Sequence, residues 1–157
     1  MTWIVHKFGG TSLADENCFR SAADLLLSQR EGNQAVVVSA MSGMTDLLLK
    51  LAEDVTTEDV AEPLIQALTE RYGVVARGLL SESLGSEVLS QFNSDLADIR
   101  EALLSPSIIK GVPNQSRDMV SGFGELWSAR LLSAFLSESS PSDEDVLFID
   151  ALSLIHI

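Results

Sequence analysis

The chain has 157 residues, 46% of them apolar, and 23 acidic side chains against 10 lysines and arginines give a formal net charge of −13. That is enough material for one domain with a buried core, and so acidic a surface repels nucleic acid and anionic membrane, so neither is expected as a partner. The single cysteine, Cys18, has no second thiol to bridge to, and no apolar stretch is long enough for a signal peptide or a membrane span; a reducing, cytoplasmic setting is the expectation.

Residues 3–8, WIVHKF, are β-branched and aromatic and stop at Gly9-Gly10, which predicts a strand. Asp15 then caps a helix running to about residue 29, with Phe19, Ala22, Ala23, Leu26 and Leu27 on one side. Residues 34–40, QAVVVSA, read as a second strand whose continuous apolar character suits burial on both faces of a parallel sheet. A right-handed crossover sets the two strands parallel. After Met41-Ser42-Gly43-Met44 a helix begins near Thr45-Asp46 and carries Leu47, Leu48 and Leu51.

The middle of the chain is helical. Asp59 and Pro63 suit a helix start, and Leu64, Leu68, Tyr72, Val75 and Leu79 recur at helical spacing. A further helix holds Val88, Leu89, Phe92, Leu96, Ile99 and Leu103, with Leu84-Gly85-Ser86 as the break, so the two form an antiparallel pair. Residues 117–138 predict another helix, ended by Ser139-Ser140-Pro141-Ser142, and residues 146–149, VLFI, a third strand. Three strands and about five helices make an incomplete layered α/β sheet.

The chemistry concentrates in three places. KFGGTS puts Lys7 before a Gly9-Gly10 turn and the hydroxyls of Thr11 and Ser12 after it. Glycines permit positive φ and let another molecule approach the backbone. The amides at the start of the next helix carry partial positive charge, so this loop describes a phosphate cradle. Its spacing is neither that of the P-loop nor that of the dinucleotide fingerprint, and a tight turn with a solvent-facing lysine is the plain alternative. VVVSAMSGMTD delivers Ser39, Gly43 and Thr45 just beyond the second strand, at the same carboxyl edge; Thr45 as a helix N-cap is the alternative there. Glu125, with Ser121 and Ser128 at neighbouring helical positions, is placed to hold an ammonium group, to pair with Arg117 or Arg130, or simply to face water. His6 alternates with Lys7 across its strand and reads as structural.

These stretches carry a resemblance. VHKFGGTSL (residues 5–13), VVVSAMSGMTDLL (36–48) and GFGELWSARLL (122–132) resemble, in order and approximate spacing, the aspartokinases of the amino-acid kinase superfamily. The resemblance implies a three-layer αβα sandwich of the carbamate-kinase-like type with a mostly parallel sheet, incomplete in this chain. It implies ATP- and magnesium-dependent phosphorylation of the L-aspartate side-chain carboxylate to 4-phospho-L-aspartate, toward lysine, threonine and methionine. Lys7 would meet the ATP phosphates and the charge developing in transfer, with Gly9, Gly10, Ser12 and Ser39 around it. Thr45 and Glu125 would hold aspartate. The resemblance implies no resident metal, no tightly bound cofactor, and a homo-oligomer at full length.

The glycine-rich, Asp-containing and arginine-containing segments of the family's later half are absent. Residues 1–151 are therefore expected to be the N-terminal part of a kinase domain, inactive alone, and residues 152–157, LSLIHI, an atypical tail that departs from the family pattern. The flavour of HKFGGTS and GELWSARLL is similar to that of aspartokinases fused to homoserine dehydrogenase. The alternatives are a kinase for glutamate, acetylglutamate or carbamate, or a non-catalytic half-domain.

Overall fold

Trp3–Phe8 forms β1 and Asn33–Val38 forms β2, and the two pair parallel in a two-stranded sheet, with Lys7 beside Val37 and Phe8 beside Val38. The computed structural model describes residues 2–29, 32–54, 57–104, 114–140 and 145–150. The helices are α1 (Glu16–Ser28), α2 (Met44–Asp54), α3 (Glu58–Leu79), α4 (Glu82–Leu104) and α5 (Asn114–Ser139). A short 3₁₀ turn, Gly10–Leu13, joins β1 to α1.

Local signals account for several boundaries. Asp15 is the N-cap of α1, and its carboxylate accepts from the Cys18 amide at 3.0 Å. That hydrogen bond holds the Asp15 carboxyl below its usual range. Phe19, Ala22, Ala23 and Leu26 are the buried face of α1, as the spacing predicts. The helix at the start of the central pair begins earlier than expected, at Glu58 after Thr57, and Pro63 lies inside it, where its ring removes one backbone bond. Arg100, late in α4, meets Glu62, early in α3, at 3.7 Å, so these helices run antiparallel.

The core lies between the helices. Tyr72 of α3, Phe92 of α4 and Trp127 of α5 are almost fully buried. The Tyr72 and Phe92 rings stack with centroids 4.3 Å apart, and Phe92 meets Trp127 edge-on at 4.5 Å. Leu13, Met41, Met44 and Leu48 extend the same core toward the strand ends.

Three expectations are corrected. First, β2 is not buried on both faces: Val36 and Val37 are 36% and 54% exposed. Val37 shares a face with Trp3 and Val5, at 62% and 69%, and no described helix covers it. Second, Leu84-Gly85-Ser86 lies inside α4, and the break falls at Leu80-Ser81. The Glu138 carboxylate of α5 accepts from both the Ser81 amide and its hydroxyl, and the Gly85 amide already bonds the Ser81 carbonyl. A tertiary contact therefore sets the helix start, and Gly85 is simply accommodated. Third, residues 145–150 form no strand. A strand needs a backbone partner in register. Here Phe148 instead lies under the Arg130 guanidinium of α5, 5.7 Å from its ring centre, while Leu147 and Ile149 are exposed. The sheet thus has two strands, not three, among the described residues. The expected atypical tail, 152–157, lies outside them.

Candidate active site

Parallel pairing puts the ends of β1 and β2 at one edge, so the loops that follow emerge side by side. The Ser39 amide bonds the Phe8 carbonyl at 2.9 Å, one step beyond the last strand residue. The first loop then turns directly against the second. A Cβ on Gly10 would stand 2.9 Å from the Ala40 carbonyl oxygen, closer than side-chain carbons come to such an atom, so only glycine permits this approach. Neither Gly9 nor Gly10 uses positive φ, so of the two reasons expected for these glycines only close approach applies. The space beside Gly9 is open to 4 Å.

Gly10 and Thr11 head the 3₁₀ turn, and their amides take no backbone bond among the described residues. The start of α1 is different: Asp15 already caps it and Glu16 adds a second acid. The head of α1, where the sequence places the cradle, thus already carries two acidic side chains. Ser12 is exposed and lines an open hollow of about 410 Å³ with Phe8, Asp15, Asn17 and Cys18. Lys7 is exposed on the open face of the sheet, with no hydrogen bond or ion pair among the described residues.

The third stretch reaches the same junction through Gly124 of α5. A Cβ there would stand 2.7 Å from Ala40 Cβ and 3.7 Å from Thr45 Oγ1. Helix α5 thus rests on the second loop through a bare backbone, and Glu125 is the next residue. Thr45 is not an N-cap: α2 already starts at Met44, and the Thr45 hydroxyl holds no partner among the described residues. Glu125 is exposed and unpaired among them. The partners considered for it are taken, since Arg117 pairs with Glu53 and Arg130 with Asp95 at 2.7 Å. Backbone of the three stretches singled out in the sequence therefore meets at Ala40, through Gly10 and Gly124, with Thr45 Oγ1 beside Gly124 and Glu125 next along α5. Lys7 stands one residue back along β1.

The sequence reading missed a buried polar cluster behind this junction. Asp95 of α4, 8% exposed, accepts from Trp127 Nε1 at 2.9 Å, Arg130 at 2.7 Å and Gln91 at 3.0 Å. Tyr72 donates its hydroxyl to the Trp127 carbonyl at 3.2 Å, and burial pushes that phenol far above its ordinary value. Ser128, grouped in the sequence with Ser121 as a polar neighbour of Glu125, is instead 2% exposed, and its Oγ accepts from the Met41 amide at 2.8 Å. His6 is half-buried, stacks on Phe8 and leaves Nε2 without a partner among the described residues.

The profile of the Amino acid kinase family matches residues 2–154, and the chain belongs to that family. It is 35% identical over 133 residues to the chloroplastic bifunctional aspartokinase/homoserine dehydrogenase 2 of Arabidopsis thaliana, covering 83% of this chain and 14% of that protein. It is 34% identical over 135 residues to the bifunctional aspartokinase/homoserine dehydrogenase 2 of Escherichia coli K12, covering 85% and 16%. The structure of E. coli aspartokinase III in complex with aspartate and ADP matches with a TM-score of 0.74 at 27% identity, over 88% of this chain and 29% of that one. The chain therefore has the fold of part of an aspartokinase and spans less than a third of each of these relatives. No described helix is long and apolar enough to cross a membrane.

Proposed function

We propose that residues 1–151 are the N-terminal part of an amino-acid kinase domain that, within a longer polypeptide, transfers the γ-phosphoryl group of ATP to the side-chain carboxylate of L-aspartate. The product is 4-phospho-L-aspartate, on the route to lysine, threonine and methionine, made by a cytoplasmic homo-oligomer. The observation that carries this reading is the meeting of all three stretches at Ala40, through Gly10 and Gly124. The aspartate and ADP bound to E. coli aspartokinase III support it.

Phosphoryl transfer needs little covalent help from the protein; positioning and neutralisation of charge supply most of the rate. In this reading Lys7 and the free amides after Gly9 take the phosphates, with Ser12 and Ser39 as flanking donors. Thr45 donates to aspartate, and Glu125, unpaired and exposed, takes its α-ammonium group. Magnesium would enter with ATP and offset the negative charge of its phosphates. Among the described residues no three His, Cys, Asp or Glu side chains stand together as a metal cage.

Aspartate-dependent ADP release by the intact kinase carrying this segment tests the reading, with glutamate, acetylglutamate and carbamate as competitors. Turnover is expected with aspartate alone. Glu125→Gln is expected to raise KM for aspartate roughly 10- to 100-fold, the size of one lost hydrogen bond to a charged group, with KM for ATP little changed. Equal turnover of the competitors, or an unchanged KM for aspartate in Glu125→Gln, would remove the assignment.

A further inference from the structure

The Met41–Thr45 turn must be held if Thr45 and Glu125 are to grip one substrate, and the ladder does not hold it. The last backbone bond between β1 and the second loop is Ser39 N–H to the Phe8 carbonyl. Beyond that point Met41 is 2% exposed, so its amide needs a partner. That partner comes from α5, three residues past Glu125: Ser128 Oγ, at 2.8 Å. The Met41 carbonyl in turn accepts from the Met44 amide at 3.0 Å, closing the turn that presents Thr45. Gly124, one turn earlier on the same helix, brings the backbones close enough for this bond to form.

We infer that Ser128 is a positioning residue for the amino-acid substrate: it ties the helix that carries Glu125 to the turn at Met41 that leads into α2 and Thr45, and so fixes their spacing. The inference rests on the proposed aspartate kinase reading. Its signature is asymmetric. Ser39 stays anchored on β1, so the phosphate side of the site does not depend on Ser128, whereas the substrate side does. Contacts that hold substrate equally in the ground and transition states appear in KM.

Ser128→Ala in the intact kinase is expected to raise KM for aspartate about tenfold, as one orphaned buried amide relaxes the turn, while KM for ATP stays within about twofold. Ser128→Thr, which restores the hydroxyl, is expected to recover most of the loss. Amide exchange at Met41 speeds up in Ser128→Ala but not in Ser137→Ala, an exposed serine on the same helix. An unchanged KM for aspartate in Ser128→Ala, or equal rises for aspartate and ATP that Ser128→Thr fails to recover, would overturn the inference. A wild-type enzyme with no aspartate-dependent turnover would instead overturn the functional reading beneath it, leaving the Met41 exchange result to stand as a structural fact.

Discussion

Lys7→Ala is expected to lower kcat of the intact kinase by roughly a hundred- to a thousandfold, the cost of removing one preorganised charge from a transition state. The same change is expected to leave thermal stability nearly untouched. Lys7 is exposed and makes no hydrogen bond or ion pair among the described residues, and substitutions of that kind stay within about 0.5 kcal/mol. The separation of the two effects is the informative part. A lysine kept only as a polar end to β1 would leave kcat as unchanged as the stability. Steady-state kinetics beside a melting curve checks both, and a kcat within threefold of wild type would take Lys7 out of the reaction.

The largest effect on stability is expected at Asp95. Its carboxylate is nearly buried and accepts from Trp127, Arg130 and Gln91 at once. Asp95→Ala leaves the Arg130 guanidinium, itself only 20% exposed, without its counter-charge and orphans the indole N–H. Breaking a buried pair in this way costs about 3–5 kcal/mol, which for a domain of this size is a fall of about 10 °C in Tm. Removing both charges, Asp95→Ala with Arg130→Met, is expected to recover part of the loss, because no lone buried charge remains. A fall of less than about 2 °C in the single variant would show that this cluster does not hold α4 to α5.

Much of this fold was readable because the signals are local. WIVHKF is bounded by two glycines, and Asp15 precedes a helical apolar spacing, so β1 and α1 appear where expected. What was misread depends on distant contacts. Gly85 and Ser86 look like a break, but Glu138, 57 residues from Ser81, places the break elsewhere. Residues 146–149 have strand composition, yet composition supplies no backbone partner. Asp95, which the sequence did not single out, is closed over by Trp127 and Arg130, 32 and 35 residues on.

The candidate site divides in the same way. Its three stretches announce themselves by residue type, glycines and hydroxyls after strands and a carboxylate in an apolar helix. Their meeting point does not, because it rests on Gly124, an unremarked small residue within α5 whose missing side chain makes room for Ala40. Ser128 was noticed as a polar neighbour of Glu125, but its role stayed hidden: a serine in a helix does not show its partner until a buried amide 87 residues away requires an acceptor.

A crystal structure of the intact kinase with aspartate and a non-hydrolysable ATP analogue decides where the transferred group sits. The γ-phosphate is expected within about 3 Å of Lys7 Nζ, over the amides that follow Gly9, with the aspartate ammonium on Glu125. A nucleotide bound away from the shared edge of β1 and β2, with Lys7 in open solvent, would contradict it.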